Sequence, residues 1–558
     1  MTGLAAIDET APILPMNNVS KWTERSRGTL MLQLDTLRES LKYEGGISRR
    51  WFMAYGAALA SIPWMNRAAL AQTRPRFDTN PFSLGIASGD PDSSSVVLWT
   101  RLAPKPLEPF GGMSKEPVQV SWVLADDDNM RNVVAKGTAI ATPQLGHSVH
   151  VEVHGLKPDR WYWYRFRVGD VESPLGRTRT LPSADAVKDE LKFAFASCQH
   201  FETGYYTAYQ HMAENDLDLI FHLGDYIYEG GGRKDQVRQH IGSEIHSLND
   251  YRVRHAQYRG DPQLQRAHSN CPWFVTWDDH EVSNNYAGEI SAKENVDTAE
   301  FLLRRANAYQ AYYENMPLRR RSLPTGPHME LYRSASFGQL AEFQILDTRQ
   351  YRSDQPNGDR RSPLNEEALN PRNSLLGAKQ RDWLQASLLQ SQGTWNILAQ
   401  QVMMGLVGFT KDSDPLSYSM DQWPGYAAER IALMQFMADR RIPNPIVLTG
   451  DIHSNWVNDL RVDDRNQETE IVATEFVGTS ISSGGKGIDR REGHDQLLSQ
   501  NPFIRFQNTQ RGYVRCRVTP AEWRSDYLVV DDVTVADGKT STRASFVVEA
   551  GQAGAKLV

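Results

Sequence analysis

Long hydrophobic runs are missing from this 558-residue sequence. The weakly apolar stretch MAYGAALASIPWM, at 53–65, has 13 residues, short of the roughly 20 that span a bilayer as a helix, so no permanent membrane anchor is expected. Cysteine is scarce. Cys198, Cys271 and Cys516 are too few and too scattered for a disulfide framework, and at least one must stay outside any intramolecular pair. A basic excess is also missing: 61 Lys and Arg stand against 68 Asp and Glu. That balance offers no sequence-wide attraction for nucleic acid or anionic lipid, and no stable nucleic-acid partner is expected. No fixed-period repeat and no extended low-complexity tract occurs. What remains is an ordinary globular composition, 40% hydrophobic, in a chain long enough for more than one domain.

The N-terminal 71 residues read as a targeting leader. Arg49 and Arg50 precede the short apolar run, and Ala69-Leu70-Ala71 follows it. Charged region, apolar region and small-residue cleavage site come in the order of an export signal. Paired arginines in that place resemble a twin-arginine signal, an address read by the export machinery. The expected location is periplasmic or extracellular.

Between residues 75 and 182 short β-favouring runs (SVVLWTRL, VQVSWVLA, HSVHVEVHGL, RWYWYRFRVG) alternate with polar turns. This texture predicts a small antiparallel β-sandwich. The ending LKPDRWYWYRFRV resembles a strand of fibronectin type III-like domains. The polar stretch LPSADAVKDE then suits a linker. From 190 to 545, strand-like runs alternate with helical segments such as DTAEFLLRRANAYQAYYEN and GAKQRDWLQASLLQSQ, which predicts an α/β domain. The small, polar end, 546–558, reads as a flexible tail.

Chemistry gathers where apolar runs stop. KFAFAS leads into Cys198, DLIFHLG into Asp225, WFVTW into Asp278, Asp279 and His280, FQIL into Asp347 and Arg349, and PIVLTG into Asp451 and His453. Ligands of open α/β sheets bind beyond the carboxyl ends of the strands, so five such ends predict one shared site. A single aspartate after a strand is more often a turn residue or helix cap. The same arrangement five times over is not explained that way. Asp225 and Tyr228, three apart at a strand exit, suit one cavity. Aspartate, phenolate, thiolate and imidazole together suit a cation such as Fe(III), and an all-carboxylate position suits Ca, Mg or Mn. His280 is placed as a proton donor to the leaving oxygen or as a further metal ligand.

In order, SLGIASGDPDSSSVVLWTRL, FASCQ, HLGDYIYE, WDDHE, LDTRQYR and LTGDIHSNWV resemble the PhoD-like alkaline phosphatase and phosphodiesterase family, a branch of the calcineurin-like metallophosphoesterases. The resemblance covers nearly the whole chain. It implies a metallophosphoesterase-type four-layer α/β sandwich behind the N-terminal sandwich. It also implies an iron site from Cys198, Asp225, Tyr228 and His453, with Asp225 bridging to a second, calcium-like ion held by Asp279 and Asp451. The wider superfamily reads GNHE and GHxH where this chain reads DDHE and GDIH, so Asp279 and Asp451 replace other ligand types. His280 takes the acid histidine's place. Arg349 and Arg352 are candidate phosphate contacts, and Asp278, Asn284 and Asn285 further candidate ligands. The implied activity is hydrolysis of small phosphate monoesters and diesters by a hydroxide activated between two metals, with phospholipase D-like diester cleavage as the alternative. A non-catalytic binding module on the same fold would lack ligands, and here every expected position carries a competent side chain.

Overall fold

The computed structural model describes residues 76–411 and 415–558. The leader with its paired arginines, 1–71, lies outside the described residues. Eight strands come first: β1 (Ile86–Gly89), β2 (Val96–Arg101), β3 (Val118–Ala125), β4 (Val133–Ala141), β5 (Ser148–Val153), β6 (Trp161–Val168), β7 (Val171–Glu172) and β8 (Gly176–Arg179). The four predicted runs are β2, β3, β5 and β6. They do not close into a separate sandwich. β3, β4, β6, β7 and β8 form a five-stranded antiparallel sheet, but β1, β2 and β5 continue into the main sheet, where β1 runs parallel to β11 (Trp273–Thr276). The inner faces of both groups share one core that includes Ile86, Leu98, Val120, Leu124 and Phe166. The expected division at 182–190 is therefore a break in sequence and not in the sheet. Alternating apolar residues specify that a strand has one buried face, but not which strand it pairs with.

Three parallel neighbours, β9 (Leu191–Ala196), β10 (Leu219–Leu223) and β11, form the middle of a ten-stranded sheet. Seven more strands, β12 (Arg333–Phe337), β13 (Ala341–Ile345), β14 (Trp395–Ala399), β15 (Pro445–Thr449), β16 (Asn455–Leu460), β17 (Ala473–Val477) and β18 (Ile504–Asn508), form a second sheet in which β13, β14 and β15 are parallel neighbours. The last four, β19 (Gly512–Val518), β20 (Glu522–Val530), β21 (Thr540–Glu549) and β22 (Gln552–Leu557), return to the first sheet beside β9.

Side-chain alternation along β9 shows how the layers assemble. Leu191, Phe193 and Phe195 point into a core shared with Phe343, Ile397 and Trp523, whereas Ala194 and Ala196 face the helical side. The Phe193 ring meets Phe221, Phe343 and Trp523 edge-on at 5.4, 5.7 and 5.5 Å, contacts worth about 0.5–1.5 kcal/mol each beyond area burial. The small alanines let helices approach. α1 (Thr207–Glu214), α2 (Leu248–Arg259), α3 (Pro262–Asn270) and α4 (Thr298–Asn315) cover the first sheet, and α5 (Gly377–Gln390) and α6 (Ala427–Asp439) the second. Asp297 caps α4, accepting the backbone N–H groups of Ala299 and Glu300.

The C-terminal tail departs from expectation. Residues 546–558 end β21 and form β22. Phe546 and Val548 are buried between the sheets, and the Ala555 N–H donates to Asp459 at 3.0 Å. Small polar residues looked loose, but ladder hydrogen bonds come from the backbone and need no apolar side chain.

Candidate metal centre

All five predicted strand ends reach one region, four of them with candidate donors and the fifth through Arg349. β9, β10 and β11 deliver Cys198, Asp225 and Asp278-Asp279 side by side, and β15 delivers Asp451 from the second sheet. The exit of β13 delivers Arg349, while the Asp347 carboxylate caps its own turn by accepting the Arg349 and Gln350 N–H groups, each at 3.0 Å. The sheets touch here. Ser197 bridges to Ser480, and the Gln401 amide donates to the Thr276 hydroxyl at 2.9 Å. Two glycines make the approach possible. A Cβ on Gly224, whose φ is +106°, would lie 2.4 Å from the Asp278 Cβ, and one on Gly450 would lie 2.7 Å from the Ser197 hydroxyl.

Cys198, Asp225, Asp451 and His453 all adopt left-handed backbone conformations, with φ of 58°, 56°, 64° and 52°. Such a conformation is uncommon outside glycine and costs on the order of 1–3 kcal/mol where surroundings enforce it. The enforcement is visible. The Cys198 N–H donates to the Gly224 carbonyl, and Glu281 accepts the N–H groups of Asp225, Tyr226 and Asp278 through one buried carboxylate.

Donor atoms of Cys198, Asp225 and His453 lie within 4.8 Å of one another, as do those of Asp225, Asp279 and His280, and those of Asp278, Asp279 and Asp451. The Tyr228 hydroxyl lies 2.8 Å from Asp225 Oδ2 and 3.1 Å from His453 Nε2. Asp225 Oδ1, Asp278 Oδ2 and Asp279 Oδ1 are buried without a hydrogen-bond partner. A buried carboxylate oxygen with no partner is costly, and cations at these positions would satisfy all three. The residues present therefore fit a metal centre. Burial, reinforced by Asp225, pushes the Cys198 thiol and the Tyr228 phenol well above their ordinary pKa values. Burial with Asp421, Asp279 and Asp225 pushes Asp451 up to about 7, against Arg349. Incoming cations would displace these protons.

His280 is held through its Nδ1, 2.7 Å from Glu229 Oε2. Burial opposes its charge, but Glu229, Asp279 and Asp225 outweigh burial and raise its pKa well above the histidine range. Glu229 also accepts the Asn284 N–H at 2.7 Å. The Asn285 N–H donates to Asp279 Oδ2 at 2.7 Å while its side chain turns to Asp359.

The two arginines are turned toward carboxylates. Arg349 is fully buried; its Nε donates to Asp278, and its two Nη groups donate to Asp421 at 2.7 and 2.9 Å. Arg352 shares Asp421, at 2.8 Å. Both are counter-ions within the acidic cluster; all three nitrogens of Arg349 are engaged there, whereas Arg352 Nη2 is buried without a hydrogen-bond partner. Asp421 and Glu229, together with Gln422, whose amide donates to Asp451 at 3.0 Å, were missed in the sequence. The Glu229 signal was available, because it closes the HLGDYIYE segment.

The family model described as PhoD-like phosphatase matches residues 193–527, more than half of the chain and every strand end of this centre. The chain belongs to the PhoD-like phosphatase family. The model of the PhoD-like phosphatase N-terminal domain matches residues 67–182. Alkaline phosphatase D of Bacillus subtilis (strain 168) is 53% identical over 489 residues, covering 87% of this chain and 83% of that protein. A solved structure described as "Structure of PhoD" superimposes with a TM-score of 0.85 at 52% identity, over 87% of this chain and 93% of that one. This PhoD-like protein is accordingly a phosphatase, a metal-dependent hydrolase of phosphate esters on an α/β fold. The phospholipase D-like alternative is not favoured by these relationships.

Proposed function

We propose that the chain is an exported alkaline phosphatase of the D type that cleaves phosphate monoesters, and diesters as well, with two cations held by residues of both sheets. Cys198, Asp225, Tyr228 and His453 would hold iron, whose preference for thiolate, phenolate and imidazole together matches this donor set. Asp225, Asp279 and Asp451 would hold the second ion, calcium by its all-oxygen character, or magnesium or manganese. The single observation that carries this reading is the Cys198–Asp225–His453 cluster with the Tyr228 oxygen against it. Bound there, the cations supply Lewis acidity that neutralises charge at phosphorus and acidifies water.

The protein's own groups do the rest. Glu229 fixes the His280 ring by Nδ1 and leaves Nε2 to protonate the departing alkoxide. Arg349 and Arg352 neutralise part of the carboxylate charge and keep Asp278 and Asp421 in place. The layer order, helices outside two facing sheets, supports the four-layer metallophosphoesterase-type sandwich. The five-stranded sheet packed over β1, β2 and β5 around one core supports a fibronectin III-like two-layer reading of the N-terminal part, with its second layer continuous with the main sheet. Export by the twin-arginine route rests on Arg49 and Arg50 with the run that follows. Among the described residues no helix is long and apolar enough to cross a membrane.

The test is elemental analysis of purified protein with a visible spectrum, alongside parallel assays on a nitrophenyl phosphate, a bis-nitrophenyl phosphate and a phosphatidylcholine. Iron with a phenolate charge-transfer band and release from the monoester are expected. An active, colourless, iron-free enzyme would refute the iron assignment, and absence of release from the monoester would defeat the alkaline phosphatase reading.

A further inference from the structure

Five rings stand in a row beside the metal centre: Phe201, His240, His200, Tyr228 and His280, with successive centroid separations of 6.2, 5.1, 4.3 and 4.1 Å. Arg233 approaches the edge of the middle ring, its Nη2 3.3 Å from His200 Nε2. Its side chain is 57% exposed, yet its position is fixed. The buried carboxylate of Glu202 accepts both the backbone N–H of Arg233, at 2.8 Å, and its Nε, at 3.0 Å. The loop that presents it is tied at its base, where Ile245 donates to the Glu229 carbonyl and Gly232 to the Gly242 carbonyl, each at 3.0 Å. Glu202 does not depend on this arginine, since it also takes the His240 N–H at 3.1 Å. No hydrogen bond engages Arg233 Nη1 among the described residues.

An exposed arginine ordinarily loses conformational entropy when it grips an anion. Here most of that ordering is already built in, which is the condition under which a single charge-assisted contact gives useful affinity. We propose that Arg233 is a specificity residue that receives a second anionic group, a phosphate or carboxylate, carried on the alcohol half of the ester whose scissile phosphate lies at the Tyr228 end of the ring row. This rests on the metal-centre reading above and adds the substrate class: esters of an alcohol that itself bears an anion.

The experiment uses a matched pair, propyl phosphate and 1,3-propanediol bisphosphate, with phosphate release measured from metal-loaded full-length protein. The wild type should prefer the bisphosphate. In R233Q the preference should fall by about fivefold or more, through KM and not kcat, as expected for loss of one charge-assisted contact. R233K should keep part of the preference, and K234Q, next along the loop, should keep all of it. No preference in the wild type, or an undiminished preference in R233Q, overturns the proposal. Should neither ester be turned over, calorimetric binding of the same two compounds to wild type and R233Q decides the question. The failure of the hydrolytic reading is then separate from the fate of the subsite.

Discussion

His280 Nδ1 lies 2.7 Å from a carboxylate oxygen of Glu229, a residue fifty-one positions earlier in the chain. That contact fixes which ring nitrogen faces the metal centre, so the effect of removing its charge can be forecast. E229Q should lower kcat/KM for a nitrophenyl phosphate by about 10- to 100-fold, the usual scale for groups that orient a working histidine. Bound metal, measured by elemental analysis, should change little. An unaltered rate would show that His280 needs no orientation.

Cys198 and Cys271 are equally buried, but only Cys198 stands among metal donors. C198S should lose iron, read by elemental analysis and by fading of the visible band. C271S should retain both. Equal iron in the two variants would remove the thiolate from the ligand set.

Asp421 carries the charge of two buried arginines. Removing one partner of a buried pair typically destabilises by about 3–5 kcal/mol, so D421N should show a clearly lower denaturant midpoint. A change within experimental scatter would mean that Arg349 is balanced by Asp278 alone.

Three histidines far from each other in sequence are forced to stay neutral. Burial lowers His150 to about 4, and His222 and His255 to about 3, from the ordinary 6.5. Between 6.5 and those values the unfolded chain binds protons that the folded chain refuses. Stability therefore rises with pH across this window and is lost as pH falls, with a slope of about 1.4 kcal/mol per pH unit for each such histidine. Urea midpoints should drop steeply below about pH 6.5, and H150Q should flatten part of that slope. A level profile would contradict the neutral burial of these rings.

Stopping the chain after Ala550 removes β22, strips the Asp459 carboxylate of the Ala555 N–H, and turns β21 into an open edge. Such edges recruit other strands. The truncated protein should melt earlier in thermal unfolding and associate in sedimentation. If it melts with the full-length protein, the last strand is dispensable.

The sequence made Cys198, Asp225, Asp279, Asp451 and His453 legible because each follows an apolar run, and a strand exit is a local signal. Asp421 follows no such run. Its importance comes from Arg349, seventy-two residues away, and separation of that kind leaves no mark in local pattern. The partners of Arg349 and Arg352 are illegible for the same reason: a motif shows that a guanidinium is near the site, while its carboxylate partners are set by packing. Strand identity was likewise readable in β2 and β5, but their partners were not. Alternation records which face is buried, and pairing is decided by the whole sheet. The tail failed for a different cause, composition being a poor guide where backbone pairing supplies the order.

The donors of the centre come from two sheets whose strands are separated by more than two hundred residues, with Cys198 and Asp225 from one and Asp451 and His453 from the other. A cation gripped by both halves would act as a rivet. Its loading would register that the loops after β9 and β10 have met the loop after β15, across a seam that the apolar core between the sheets already closes. Completion of the fold and acquisition of a cation would then fall at one checkpoint.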